Sequence, residues 1–423
     1  LNAFYYLTPL PKKSLRAEVS ATTRSNNMNG TQLTVNWRNR NTFRAGEHLG
    51  ISAYAATEVQ FGGNFKGYNT YRTGAEANFA IPRFVIPFFD VRTEGGYVPR
   101  TTIQLGYDVL NRRKLYTLNS FRGGLGYVWK ESLEKQHEFF PININYVQPL
   151  NVTGEFYDSL KQYPYLRRIV DSQFVLGTTY QYTLNQVVNG ITRDNSVYFN
   201  GLIDLSGNLA GLVMGTGGKD GKQGRLFNAR FDQYIKLEAD GRYYRKFGLN
   251  SVWANRAIIG YGLPYGNSGQ IPYIKQFFAG GSNSVRAFRS RSLLGTFYDT
   301  SASTFLPDQT GDLKLEFNTE FRPHISGPLY GAIFLDAGNA WLKNEDTSRP
   351  GARFNKDFLK ELAIGAGVGI RLDITLFVIR LDVAFPLRKP WEQNPWVMDQ
   401  IRFNKKVWRR ENVIYNLAIG YPF

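Results

Sequence analysis

The 423-residue sequence contains no cysteine and only three histidines. Without cysteine the chain can form neither a disulfide framework nor a thiolate metal site, and it has no cysteine nucleophile. Three histidines leave little room for a histidine-rich metal centre. The sequence has no run of about 18 consecutive apolar residues, which excludes an ordinary transmembrane helix. These absences predict a protein without a cofactor or a metal.

Aromatic residues and glycines are abundant, and the charged residues are unevenly divided by sign. Aromatic side chains make up 15% of the chain, and there are 42 glycines. Charged residues account for 20%, below the roughly 25% that is usual in soluble domains. Lysine and arginine number 51 against 34 acidic residues, a net charge of +17. Such a surplus fits nucleic acid or phosphate-bearing lipid, and composition alone does not choose between them.

Large apolar residues alternate with small or polar ones along short segments. Residues 413–423 read VIYNLAIGYPF, and their large side chains share one parity: Tyr415, Leu417, Ile419, Tyr421 and Phe423. Residues 313–322 read LKLEFNTEFR, in which apolar residues alternate with charged and amide ones. Because successive side chains of a strand point to opposite faces, each segment is predicted to be a strand with one apolar face.

About sixteen such segments of about ten residues can be drawn. One alternating strand is also typical of a soluble sandwich. Sixteen alternating strands, with no sign of a second hydrophobic core, favour a barrel in a lipid membrane. In a closed barrel every backbone group is paired. The sequence therefore predicts an all-β fold, a 16-stranded antiparallel transmembrane β-barrel. The predicted strands are 15–24, 30–40, 47–59, 70–81, 101–109, 118–130, 137–147, 171–186, 195–206, 226–238, 246–261, 311–322, 329–341, 362–374, 376–386 and 413–423.

The connections after odd-numbered strands face outward if both ends of the barrel are periplasmic. By this rule the long segments 262–310 and 387–412 are external. Separately, residues 152–168 are predicted to form a short helix in a loop. Segment 387–412 has seven basic and three acidic residues, 7 − 3 = +4, which lipid phosphates would attract. We expect its three tryptophans to lie at the membrane interface, where this residue is enriched: Trp391, Trp396 and Trp408.

Residues 280–288 form the most distinctive motif in the chain. Its key residues are Gly280, Gly281, Val285, Arg286, Ala287 and Phe288. The motif resembles GG…(V/I)RG(F/Y), the loop motif of the BamA/TamA-type outer-membrane insertase superfamily, and is somewhat more similar to TamA-like members. Ala287 stands where the family has glycine, which puts in doubt a positive φ at this position. Segments 334–341, 365–371 and 379–387 resemble family strands in the same order.

The resemblance implies that the long external loop folds back into the barrel and places Arg286 in the lumen. An arginine buried there needs partners. The alternation independently directs Glu316 and Asp336 inward, and guanidinium groups suit carboxylates. We therefore expect Arg286 to form a cluster with Glu316 and Asp336 that pins the loop to two adjacent strands.

The resemblance also implies a function in outer-membrane protein assembly, insertion or translocation, without catalysis. Client strands would enter at a weak seam between the first strand, from Leu15 to Arg24, and the last, from Val413 to Phe423. Gly420 and Pro422 fit a weak seam because proline donates no amide proton to the ladder. The partners implied are outer-membrane lipids including lipopolysaccharide, unfolded outer-membrane protein clients, and accessory lipoproteins or a periplasm-spanning partner, but not nucleic acid.

The domain organisation that follows is a barrel at 14–423. Residues 1–13 contain a short strand and a stiff charged linker around Pro9 and Pro11. We expect them to be the tail of a preceding soluble POTRA-like domain.

Three other functions share parts of this pattern. A two-partner-secretion-type transporter would carry the same motifs and export a passenger through the lumen. A passive porin would alternate but would not need the arginine motif. A barrel enzyme needs a nucleophile and a base, and His48, His137 and His324 do not stand in a recognisable Ser/His/Asp pattern. Glu316 and Glu320 share a face, but the basic residues beside them indicate charge pairing.

Overall fold

A computed structural model of the protein describes residues 11–23, 28–60, 69–86, 96–188, 190–191, 193–208, 211, 225–226, 229–248, 251–298, 309–374 and 377–423. Sixteen long strands occur in these ranges. Their bounds are β1 Lys13–Thr23, β2 Met28–Asn39, β3 His48–Gln60, β4 Thr70–Ile81, β5 Arg100–Arg112, β6 Tyr116–Lys130, β7 Lys135–Val152, β8 Gln173–Asn185, β9 Asn195–Ser206, β10 Tyr234–Phe247, β11 Ser251–Pro264, β12 Leu313–Arg322, β13 Leu329–Trp341, β14 Ala363–Asp373, β15 Val378–Arg388 and β16 Ile414–Ile419.

Each strand pairs antiparallel with the next along the chain, from β1–β2 through β15–β16. Shorter strands lie between the long ones or extend them. Arg225–Leu226 and Ala229–Phe231 form a small hairpin whose second strand pairs in parallel with the start of β8. His324–Ser326 extends β12 and pairs with β13. The all-β prediction and the number of long strands are confirmed.

The two faces of each strand differ as the alternation predicts. On β12, Glu316 and Glu320 are fully buried, whereas Phe317 and Phe321 are 43% and 39% exposed. Large apolar side chains therefore cover the outside, and polar side chains line the inside, which is the pattern of a barrel in lipid. The largest cluster of buried apolar side chains among the described residues joins the connection between β11 and β12 to residues of β13, β14 and β15.

The first and last strands lie side by side, with Cα atoms within 8 Å. Among the residues that the structure describes, no backbone ladder joins β1 to β16. β16 has only six residues, against eleven in β1. Leu15, on β1, is 72% exposed. Arg24, the expected end of the first strand, lies outside the described residues, as do residues 1–10.

The chain turns inward after β16, which corrects the prediction that the last strand runs to Phe423. Gly420 has a φ of 91°, a left-handed conformation that breaks the alternation of a strand. Phe423 is consequently 7% exposed and packs with Tyr244 and Ala254, instead of continuing the outward row. Pro422 is buried beside it.

The tenth strand was predicted at 226–238, and this placement is wrong. β10 begins at Tyr234 because the paired strands Arg225–Leu226 and Ala229–Phe231 lie in the preceding connection. The predicted helix at 152–168 is confirmed as α1, Gly154–Gln162. It is capped by Thr153, whose side chain accepts a hydrogen bond from the Phe156 amide. Two shorter helices follow, α2 at Arg167–Val170 and α3 at Lys406–Asn412. In the described ranges, no helix is long and apolar enough to cross a membrane.

Candidate functional site

The motif of residues 280–288 forms a compact double turn between β11 and β12. Gly280 and Gly281 have φ values of 95° and 105°, which favour glycine. The Gly281 amide donates to the Phe288 carbonyl at 2.9 Å, and the Phe288 amide donates to Val285 at 3.0 Å. These bonds close the turn and direct the side chain of Arg286 into the barrel wall.

Arg286 is fully buried, and its guanidinium is held on all sides. Nε and Nη2 donate to the two carboxylate oxygens of Asp336 at 2.8 and 2.9 Å. Nη1 forms an ion pair with Glu320. The guanidinium carbon lies 3.4 Å from the centre of the Phe334 ring, within range of a cation–π interaction. Two-point pairing of this kind is among the strongest side-chain contacts available.

Glu316 does not pair with Arg286 in the part of the chain that the structure describes, so this expected contact is corrected. Its carboxylate accepts a hydrogen bond from Ser284 and forms an ion pair with Lys314 at 3.0 Å. Strand residues rise about 3.3 Å each, so Glu320 lies about 13 Å from Glu316 along the wall. Ser284 meets the wall at the level of Glu316, and Arg286 reaches the lower level of Glu320.

The pairing continues across β14 and β15. Arg371 bonds to Glu320 at 3.1 Å and to Asp382 at 2.5 Å, and Arg380 lies 3.6 Å from Asp382. We call this set the luminal charge network: Arg286, Arg322, Arg371, Arg380, Glu320, Asp336 and Asp382. Buried charges are costly unless paired. Here four cations face three carboxylates.

Three glycines on β14 make room for the motif. A Cβ on Gly365 would overlap the Cβ of Ala287, and one on Gly367 would overlap the Phe334 ring. Gly369 would similarly meet the carboxylate of Asp382. The strand thus offers bare backbone where the motif and the network lie against it.

Ala287 does not require glycine's conformational freedom. In the described ranges, the non-glycine residues with positive φ are Arg44, Lys114 and Arg291. Alanine can therefore replace the family's glycine at position 287 as long as there is room for its methyl group. The extra methyl of Ala287 occupies space that Gly365 leaves empty.

The motif also bonds directly to the last strand. Asn416 of β16 is 1% exposed, and its side chain donates to the Arg286 carbonyl at 3.1 Å. Arg322, a member of the network, donates to the Phe423 carbonyl at 3.1 Å. Val413 precedes β16 and ends α3 by donating to Arg409. Among the expected seam residues that the structure describes, Phe423 is the one that bonds to the network.

Phe288 connects the motif to the external segment between β15 and β16. Its ring lies 5.9 Å from that of Trp391, which stacks on Tyr298 at 4.6 Å. Trp391 is thus packed over the motif, and its expected place at the membrane interface is corrected. Trp408 packs on Phe403, also within the segment.

The sequence identified Arg286 and Asp336 but missed the other members of the network. Glu320 shares the parity of Glu316, so its inward direction was visible in the pattern. Strand alternation gives the face of a residue, however, and does not give its level relative to a folded-back loop. Asn416 has no sequence signal beyond its inward parity.

The histidines and acidic residues of the described ranges do not assemble into a metal centre. The described ranges contain no group of three or more His, Asp or Glu side chains that could hold a metal ion. His137 bonds to Tyr180 at 2.8 Å and to Glu131 at 3.0 Å, and His324 bonds to the Gly327 carbonyl. What the site can do is hold the inward loop to the strands on one side of the seam.

Residues 13–406 match the family model of the Omp85 superfamily domain. BamA from Haemophilus ducreyi lacking POTRA domains 1–3 matches with a TM-score of 0.60 and 13% identity, over 96% of this chain and 70% of that one. CdiB from Acinetobacter baumannii matches with a TM-score of 0.49 and 13% identity, over 97% and 60%. CdiB from Escherichia coli matches at 0.47 and 12%, over 91% and 60%.

The chain spans 60% of the length of each CdiB structure, and 70% of the BamA structure. At 13% identity, the likeness to BamA shows a shared fold. The family model covers nearly the whole chain, and the chain therefore belongs to the Omp85 superfamily of outer-membrane β-barrel proteins.

Proposed function

We propose that this protein inserts client proteins into the outer membrane at the seam between β1 and β16. The observation that carries the proposal is the absence of a ladder between these two strands in the described ranges, although every consecutive pair has one. An unpaired strand edge is a template for another strand. In lipid, each unpaired backbone group costs several kcal/mol, so pairing with an edge stabilises an entering strand.

The luminal charge network supports this function by fixing one side of the seam. The hydrogen bonds and ion pairs of residues 280–288 that reach strands go to β11–β16 in the described part of the chain. The last strand is thus tied to the motif through Asn416, whereas β1 is not. We infer that β1 is the movable edge and that client strands add to it by β-augmentation.

The weak outer surface of β1 fits this role. Its outward row holds Leu15, Ala17 and Val19, with no aromatic side chain among them. A strand with little apolar surface is weakly held by lipid. We propose unfolded outer-membrane proteins as clients, and lipopolysaccharide-containing lipid, accessory lipoproteins or a periplasm-spanning protein as partners. Residues 1–13 would join the barrel to a preceding soluble domain.

A second candidate is export of a passenger through the lumen. Export would require the motif to leave the wall, which breaks several fully buried ion pairs around Arg286. Lateral opening at β1 requires no such loss. We therefore favour insertion.

Locking the seam tests the proposal. The chain has no cysteine, so cysteines can be introduced at Ala17 and Leu417 and joined by a bifunctional maleimide. The control pair is Leu381 and Leu417, which are already register partners across β15–β16. Both variants are reconstituted in vesicles with an unfolded client barrel.

We expect the seam cross-link to abolish client folding and the control cross-link to leave it intact. Equal client folding with a locked seam would contradict insertion at β1. If passenger export continues through the locked barrel while insertion was never detected, the export function is the correct one.

A further inference from the structure

A second polar site lies away from the motif, at the end of the barrel where the β7–β8 and β11–β12 connections meet. A cavity of about 780 Å³ opens between α2, the start of β8, the 225–231 hairpin and residues 271–273. Four arginines line it: Arg167, Arg168, Arg225 and Arg230. The only acidic residue in the described lining is Asp171.

Two of these arginines form ion pairs with acidic residues, and Arg168 forms none within the described ranges. Arg167 lies 3.8 Å from Asp171, and Arg230 lies 3.2 Å from Asp232. Arg168 forms no ion pair within the described ranges, and its Nη1 atom is buried without a hydrogen-bond partner. Burying an unpaired charge is unfavourable, so an anion bound beside this guanidinium would be stabilising.

The electrostatic surroundings of Arg168 agree with its geometry. Burial lowers the pKa of Arg168 to about 10, and the nearby cations Arg349 and Arg230 act in the same direction. The carboxylates of Asp312 and Asp346, which form no ion pair with Arg168 in the described ranges, act in the opposite direction. A bound anion would relieve both the repulsion and the missing hydrogen bond. The feature is therefore a positively charged cavity with an unsatisfied donor.

We propose that this cavity binds a phosphate group carried on a larger polar molecule. Guanidinium groups match phosphate oxygens in two-point contacts. Ser172 and Tyr273 contribute hydroxyl groups to the lining. The volume lies in the range of pockets for small organic ligands and exceeds what a single free phosphate needs. A phosphorylated sugar fits, from either a membrane glycolipid or a soluble molecule.

Occupancy would brace the connection that carries the motif. Residues 271–273 lie on the same connection between β11 and β12 as residues 280–288. Arg291, just after the motif, donates to the Tyr273 hydroxyl at 3.2 Å. A phosphate held by Arg168 and Arg225 would thus cross-link the hairpin, α2 and this connection. The inference does not depend on the proposed insertion function, because binding can be measured without a client.

The test is phosphate binding by the purified chain and three variants. Arg168→Gln removes the unpaired guanidinium, and Arg225→Gln removes one from the edge of the cavity. Arg353→Gln is the control, because Arg353 is exposed and lies outside the lining. Inorganic pyrophosphate is titrated in neutral detergent. In parallel, phosphatidylcholine nanodiscs are prepared with a phosphorylated glucosamine lipid or with its dephosphorylated form.

Losing one charge-assisted contact should weaken binding roughly 10- to 100-fold for Arg168→Gln and Arg225→Gln. Arg353→Gln should bind as the parent does. Binding of the lipid form alone identifies a glycolipid, and binding of pyrophosphate alone identifies a soluble ligand. If neither probe binds the parent, or if both cavity variants bind as tightly as the control, the proposal is wrong.

Discussion

Replacing Arg286 with alanine should release the motif from the barrel wall. The substitution removes both hydrogen bonds from the guanidinium to Asp336 and the ion pair to Glu320. Arg371 still pairs with Glu320, but Asp336 keeps no cation within the described ranges. Its remaining partners are the Asn318 amide and the Arg286 backbone. The main cost is therefore one buried, uncompensated carboxylate.

Removing one partner of a buried ion pair costs about 3–5 kcal/mol. Each 1.4 kcal/mol is a factor of ten in an equilibrium. The undocked population of the motif should therefore rise roughly 100- to 4,000-fold. Because the strand ladders behind the motif do not involve Arg286, we expect local release and not global unfolding.

A cysteine at Val285 reports the release, because Val285 is fully buried and the chain has no other thiol. The rate of maleimide labelling follows the undocked population. The labelling rate should be much higher in the double variant Val285→Cys/Arg286→Ala than in Val285→Cys alone. Arg289→Ala, which removes an exposed arginine three residues away, should leave the rate unchanged.

Removing the orphaned charge should restore part of the protection. Asp336→Asn combined with Arg286→Ala should label more slowly than Arg286→Ala alone. Glu316→Gln should give no such rescue, because Glu316 bonds to Ser284 and Lys314. A labelling rate for Arg286→Ala within about threefold of the parent would refute the energetic argument.

Three further predictions concern the contacts around this network. Gly365→Ala should displace the motif by overlap with Ala287, raise labelling and reduce client folding, and adding Ala287→Gly should reverse both effects; failure of the second change to help would exclude a direct clash. Asn416→Ala should leave the heat-resistant electrophoretic mobility of the barrel nearly unchanged but increase hydrogen exchange in β16, since it breaks one bond of about 1 kcal/mol; unchanged exchange would mean that the bond does not restrain the strand. Trp391→Ala should expose Phe288 and make the 280–298 connection more sensitive to protease by removing about 0.5–1.5 kcal/mol of ring packing, and an unchanged cleavage rate would show that the segment packs independently.

The strand count could be predicted from the sequence because lipid imposes a strict rule. Each strand that crosses the membrane needs about ten alternating residues and a turn. The repetition of this pattern is recognisable although each single strand is only weakly predicted. The prediction failed at 226–238 because two short strands, Arg225–Leu226 and Ala229–Phe231, pair with each other before the tenth crossing begins. It also failed after Ile419, where Tyr421 and Phe423 keep the parity but Gly420 changes the direction of the backbone.

The candidate site was less accessible to sequence reasoning for a different reason. The resemblance placed Arg286 inside, and parity placed Asp336 on the wall, but the depth of the loop is set by its own double turn. A difference of four strand residues separates the expected partner, Glu316, from the observed one, Glu320. The role of Gly365 depends on Ala287, seventy-eight positions earlier (365 − 287 = 78), and neither residue signals the contact alone.

The unequal lengths of the terminal strands set a limit on how well this barrel can close itself. Even a fully zipped junction can use only the six residues of β16, whereas β1 offers eleven, so 11 − 6 = 5 remain uncovered. A longer incoming strand could pair with those uncovered residues of β1 first. It could then replace β16 along the rest of β1, residue by residue. In such an exchange each backbone hydrogen bond between β1 and β16 would break as one between β1 and the incoming strand forms. The exchange would therefore need no energy source.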